Sequence, residues 1–239
     1  MESEIFTQHI SRKFNQELED LRTQVSTMGG LVEQQLSQAV EAIVSGDSEL
    51  GLEVAGRDVE VNQLEVAIDE ECSRLLATQA PVAADLRLIV AVIKASTDLE
   101  RIGDEAQRIA VLAVRLASEE RPRGRYDELK ILADHVQDMV HDALDAFSRL
   151  DVDDALRVVE EDKVVDEEYD RIYRECISLM MEDPRTIRRF MDVSWAARAL
   201  ERIGDHAKNI SEYVIFLVKG KDIRHIESEP VSELFEKDS

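Results

Sequence analysis

Apolar residues recur along this chain at alternating three- and four-residue steps. Val25, Met28, Val32, Leu36 and Ala39 trace one stripe. Leu86, Ile89, Val90 and Ile93 trace a second, which runs into Thr97 and Glu100. Leu129, Leu132, Val136, Met139, Val140, Ala143 and Phe147 trace a third. This spacing keeps step with the 3.6-residue helical turn, so each stripe marks the buried side of an amphipathic helix. Breakers separate the periodic segments: Ser45-Gly46-Asp47, the stretch around Pro81, Leu150-Asp151 and Asp183-Pro184. The pattern predicts six helices, over roughly 6–45, 48–78, 83–118, 126–149, 152–181 and 186–219. Gly29-Gly30 is a candidate kink in the first. Gly220 stands where glycine commonly ends a helix. Short connections make successive helices antiparallel, so each set of three reads as an up-down-up bundle.

The two sets are related in sequence. Glu100-Arg101-Ile102-Gly103-Asp104 returns 101 residues later as Glu201-Arg202-Ile203-Gly204-Asp205, and Arg87 returns as Arg188 at the same offset. Upstream the offset is 104, pairing Asp47 with Asp151, Asp58 with Asp162, Asn62 with Asp166, Glu71 with Glu175 and Cys72 with Cys176. The change of three falls between Cys72 and Arg87, at the turn, where an insertion disturbs little packing. The fold class expected is therefore all-α, with two tandem, sequence-related three-helix bundles. The first spans 1–120 and the second 121–220. The linker is Glu119 to Arg125, and a polar tail covers 221–239.

Composition narrows the function classes. The 239 residues carry 52 acidic against 29 basic side chains, a net charge of −23. Such a surface repels nucleic acid and bare anionic membrane and favours divalent cations and basic protein partners. No apolar run reaches the roughly 20 residues that span a bilayer. The opening segment, with Glu2, Glu4 and Ile5, does not read as a signal peptide. Two cysteines make no disulfide framework, and a cytoplasmic location is expected.

The candidate chemistry is carboxylate. Residues i and i+4 share a helix face, so Glu100 and Asp104 point one way, as do Glu201 and Asp205. Like charges at this spacing cost a few tenths of a kcal/mol per pair. A chain that carries the cost twice, in register, has a use for it, and a cation is the direct one. A second pair stands in each half: Asp162 with Asp166, and Asp58 with Asn62, where an amide replaces one carboxylate. Asn62 lies about 19 residues before the Pro81 turn and Glu100 about 19 after it, so the pairs meet at one height; the second half repeats this about Pro184. Four oxygen-bearing side chains between two helices are what bundles use for carboxylate-bound metals. The plain alternative is a solvated charged face. Gly103 and Gly204 argue against it, because glycine weakens an exposed helix by about 1 kcal/mol. All-oxygen sites suit Mg, Mn or Ca, and iron also accepts them. The first-half site, with Asn62, is expected to be the weaker.

Other motifs carry less. Cys72 and Cys176 read as buried thiols, Trp195 and the phenylalanines as packing, and Asp151 as a helix N-cap. His206 adjoins Asp205 but is not part of the repeat. No nucleophile-histidine-acid, zinc or phosphate-loop pattern appears. The rival class is a di-metal carboxylate enzyme or metal-storage bundle of the ferritin type. That class places Glu-x-x-His motifs in a four-helix bundle, and neither feature is present.

The chain closely resembles the PhoU family of bacterial phosphate-transport accessory proteins. The likeness rests on Phe14 to Glu19, Thr27 to Leu36, Asp85-Leu86-Arg87-Leu88, both Glu-Arg-Ile-Gly-Asp copies and Val218-Lys219-Gly220. The resemblance implies two symmetry-related three-helix bundles. It also implies metal binding at E/DxxxD motifs, in some members as iron or zinc clusters. On this chain the matching positions are Glu100/Asp104, Glu201/Asp205, Asp162/Asp166 and the altered Asp58/Asn62. It further implies a non-enzymatic negative regulator of the phosphate regulon. Such a regulator links the sensor histidine kinase PhoR to the transporter ATPase PstB, often as a homodimer, and reaches the membrane only through these proteins.

Overall fold

The structure, a computed structural model, describes residues 2–57, 59–118 and 126–221, with side chains from residue 12 onward. Asp58, the 119–125 linker and the tail from 222 lie outside the described residues. Every regular element among the described residues is helical: α1 Glu2–Ser45, α2 Ser48–Ala55, α3 Val59–Gln79, α4 Ala83–Ala117, α5 Asp127–Arg149, α6 Val152–Glu182, a 3₁₀ turn Pro184–Thr186, and α7 Ile187–Lys219. α1 packs with α2, α3 and α4, and α5, α6 and α7 form a second bundle. The bundles join along α4 with α7 and α1 with α5.

Local chemistry sets the ends. Asp47 accepts the amides of Glu49 and Leu50 and so caps α2; its repeat equivalent Asp151 accepts those of Asp153 and Asp154 and caps α6. Asp183 accepts the Arg185 amide and opens the turn into α7. α7 stops at Gly220, whose φ of +69° is left-handed and whose amide reaches the Phe216 carbonyl.

One predicted helix is divided. The 48–78 segment breaks at Gly56, whose amide turns back to the Glu53 carbonyl while the Arg57 amide reaches that of Val54, and the chain restarts as α3. In the second half Glu160 stands at the equivalent position and α6 runs unbroken. Glycine is among the poorest residues for a helix interior, which favours a break in this half. α1 passes through Gly29-Gly30 without interruption.

The first and third apolar stripes are the core, while the second is offset: Leu86 is exposed and Val90, Ile93, Thr97 and Glu100 are only partly buried, because α4 turns Ile89, Val92, Ala95, Leu99 and Ile102 inward. Leu21, Val25, Met28, Val32 and Leu36 of α1, Ile89 and Leu99 of α4, and the α5 series from Leu129 to Phe147 are buried in one cluster that runs through both bundles. Trp195 departs from the expectation of packing: it is 48% exposed, with the Arg115 guanidinium over its ring. Cys72 and Cys176 are buried free thiols. Burial first, and neighbouring carboxylates second, push them up to about 12 and about 11, so both are unreactive near neutral pH.

Glycine contacts give a paired expectation. A Cβ on Gly30 meets nothing, so Gly30→Ala should stabilise α1 by about 0.5–1 kcal/mol. A Cβ on Gly51 would stand 2.9 Å from Val114 Cγ2 and 3.0 Å from the Ala110 carbonyl oxygen. Gly51→Ala should therefore destabilise by about 1–2 kcal/mol through overpacking of α2 on α4. Urea denaturation of the two variants, which should move in opposite directions, checks this.

Candidate functional site

α4 and α7 run antiparallel through the middle of the molecule. Arg87 of α4 reaches the Leu217 carbonyl of α7, Glu105 binds Arg202 at 2.5 Å, and Arg115 binds buried Asp192 at 2.6 Å. This register sets the two Glu-Arg-Ile-Gly-Asp segments at the centre of one crossing. Asp98, 6% exposed, accepts from three side chains of α7: His206 Nδ1 at 2.7 Å, Asn209 Nδ2 at 3.2 Å and the Tyr213 hydroxyl at 2.7 Å. His206 thus serves the joint between the bundles.

On its other sides α7 packs into its own bundle. A Cβ on Gly204 would lie 3.2 Å from Val165 Cγ1, so glycine here allows the close approach of α6 and α7. That approach gathers Asp162, Asp166, Glu201 and Asp205. Asp162 and Glu201 are buried, Asp205 is partly buried, and Asp166 is exposed. Burial first, then Asp205 and the carboxylates of α6, push Glu201 up to about 7, while Arg198 opposes this. Burial and Asp162 raise Asp205, and burial with Asp162 and Asp205 raises Asp166. All three shifts have one cause, crowded and desolvated negative charge.

Two cations answer it. Lys208 Nζ binds Asp162 Oδ2 at 2.5 Å, and Arg198 Nη1 binds Glu201 Oε1 at 2.6 Å. Burial pulls the Lys208 ammonium down, but its bond to Asp162 and the nearby acids outweigh this and leave it raised. Glu201 Oε2 stays buried with no hydrogen-bond partner. Among the described residues no three His, Cys, Asp or Glu side chains are drawn close enough to hold one ion. The donor set is nevertheless all oxygen, with one buried oxygen unspent, and it fits a hard divalent cation that would displace Lys208.

The first half is arranged differently. Glu100 and Asn62 are partly buried and Asp104 is exposed. The acid drawn towards Asp104 is Glu65 of α3. Burial and then Asp69 raise its pKa, the Thr97 hydroxyl and Arg101 lower it, and Asp104 raises it again. Glu65 and Asp69 form a further i,i+4 pair that the sequence reading missed; it is not repeated, since Tyr169 and Tyr173 stand in their places in the second half. Those tyrosines stack, with ring centroids 6.0 Å apart. Arg198 and Lys208 were also missed. Each lies three residues outside the acidic pair of α7, one before Glu201 and one after Asp205, and the first half has Thr97 and Gln107 there. Glu161, beside Asp162, turns away from the cluster. Burial, then Asp142 and Asp138 of α5, raise its pKa, against the pull of Arg157 and His135.

Fold and site together define an all-α protein of two sequence-related three-helix bundles, with a partly buried carboxylate cluster in the second. The PhoU domain pattern matches twice, over residues 25–113 and 129–214. The chain belongs to the PhoU family. It is 54% identical over 224 residues to the phosphate-specific transport system accessory protein PhoU homolog of Pseudomonas putida, covering 93% of this chain and 87% of that one. It is 46% identical over 234 residues to the phosphate-specific transport system accessory protein PhoU of Escherichia coli, covering 98% and 97%. The crystal structure of PhoU from Pseudomonas aeruginosa superposes with a TM-score of 0.85 at 51% identity, over 87% of this chain and all of that one. The phosphate transport system regulatory protein PhoU from Streptococcus pneumoniae superposes with a TM-score of 0.81 at 29% identity, over 87% of this chain and 98% of that one.

Proposed function

We propose that this protein is a non-enzymatic regulator of phosphate transport. In this reading it restrains the phosphate regulon by linking the transporter ATPase PstB to the sensor kinase PhoR, acts as a homodimer in the cytoplasm, and carries a divalent cation in its second bundle. The observation that carries the regulatory reading is the doubled PhoU domain, matched through nearly the full length of relatives named as accessory proteins of phosphate-specific transport. No helix among the described residues is long and apolar enough to cross a membrane. Contact with the transporter therefore falls to protein surfaces. The test is complementation. A host lacking its own family member should recover repression of a phosphate-starvation reporter in high phosphate when this chain is supplied. Purified kinase and ATPase domains should be captured by the immobilised protein, and captured less as salt rises. A reporter left fully derepressed would reject the reading.

The cation site rests on the crowded acids Asp162, Asp166, Glu201 and Asp205 and on the unspent Glu201 oxygen. Glu100, Asp104, Asn62 and Asp58 form the weaker candidate. Manganese, magnesium, iron and zinc are the ions to try. At one hundred times its Kd an ion should stabilise the fold by about 2.7 kcal/mol, seen as a rise in Tm. Glu201→Ala/Asp205→Ala should abolish the rise, and an unchanged rise would remove these residues from the site.

A further inference from the structure

Each bundle holds an open cavity lined by none of the four clustered carboxylates, and the two cavities are one feature used twice. The first, about 240 Å³, has Leu31, Gln34 and Gln38 of α1 and Arg57 on its walls. The second, about 310 Å³, has His135, Asp138 and Asp142 of α5 and Glu161 of α6. These positions correspond one to one at the 104-residue offset of the repeat. So do the remaining lining residues: buried Gln35 and Val61 with exposed Glu60 in one, buried Met139 and Val165 with exposed Val164 in the other.

The linings have diverged in charge. In the first cavity the chain supplies its own guanidinium. Arg57 crosses to α1, gives a hydrogen bond from Nη1 to Gln38 Oε1 at 2.9 Å, and is held behind by Glu53. In the second, Glu161 replaces Arg57 and Asp142 replaces Gln38, so carboxylates face each other. The arginine has moved back to position 157, the equivalent of Glu53, where it pairs with Asp154. Asp138, Asp142 and Glu161 form an exposed rim over buried Met139 and Val165. An acidic rim above an apolar floor suits one group well, a planar guanidinium on a methylene stem. The cavity is far larger than a bare ion.

We infer that the α5–α6 cavity receives an arginine side chain from a partner protein, which does from outside what Arg57 does from inside in the first bundle. A strongly acidic chain favours basic partners at such a rim. Neither the cation site nor the identity of the partners enters this inference, so its test uses neither.

The test is methionine-methyl NMR of the full chain in excess chelator, titrated with N-acetyl-arginine amide. The Met139 methyl should shift saturably. The citrulline analogue, which keeps the shape and lacks the charge, should bind at least tenfold more weakly. Asp138→Asn/Asp142→Asn changes only exposed rim residues and should weaken binding at least tenfold. Gln34→Ala/Gln38→Ala, in the first cavity, should leave it unchanged. Glu161→Arg should fill the cavity from within and abolish the response. A Met139 methyl that stays still, equal binding of citrulline, or full binding by the rim variant would each overturn the inference. Tighter binding of free arginine than of the blocked form would also overturn it, by marking a metabolite site.

Discussion

Asp98→Ala should lower the stability of the protein by about 3–5 kcal/mol, because it strips a buried carboxylate from the donors built around it. His206, Asn209 and Tyr213 all point at Asp98 from α7, and Asp98 is buried where α4 meets α7. Alanine removes the acceptor that all three side chains share and opens a small void, and a buried polar group left unsatisfied costs about 1–3 kcal/mol. Asp98→Asn keeps the shape and one acceptor but turns an amide towards donors, so it should fall between wild type and alanine. His206→Ala removes one donor and should cost less than either. Because the core runs through both bundles, unfolding should remain a single transition. Urea denaturation with unchanged m values measures all three variants. A cost below about 1 kcal/mol for Asp98→Ala would mean that the joint does not depend on this carboxylate.

The Asp98 joint also shows where sequence reading stops. The stripes from Val25 to Ala39 and from Leu129 to Phe147 lie on the buried side because burial follows helical period, which any local window contains. The caps at Asp47 and Asp151 are local for the same reason. The break at Gly56 is also local, but the apolar period runs on across it, and the equivalent stretch around Glu160 stays helical. Asp98 is another matter. Its partners lie 108 to 115 residues away, and its repeat equivalent is Ala199, so neither spacing nor symmetry signals it. The carboxylate pairs were legible as pairs. Their counter-charges Arg198 and Lys208 were not, since which cation turns inward depends on how α6 and α7 pack around Gly204. The repeat was informative about architecture and misleading about chemistry. Where one half carries Glu65 and Asp69 the other carries two tyrosines, and where one cavity carries Arg57 the other carries Glu161.

The metal-free protein should be more stable near pH 5 than near pH 8, and Glu201 should account for most of the difference. Burial and then Asp205 raise the Glu201 carboxyl from its usual 4.5 to about 7. A carboxyl whose folded pKa lies above its unfolded value favours folding while it stays protonated. The contribution is fully present below about 4.5 and is lost as pH rises through about 7. A shift of this size corresponds to about 2–3 kcal/mol, allowing for sharing among the coupled acids. Asp166 and Asp205, also raised, act in the same direction. Glu201→Gln keeps the shape and cannot ionise. In chelator it should be more stable than wild type at pH 8, and its stability should vary much less between pH 5 and pH 8. A divalent cation should reverse the order at pH 8, since it rewards the ionised cluster of the wild type and not the amide. Denaturation of both proteins at pH 5 and pH 8, with chelator and with manganese, measures each effect. Parallel pH profiles for the two proteins in chelator would show that the proton is not held at Glu201. If manganese left wild type below the variant at pH 8, the cluster would be a strained acidic core rather than a cation site.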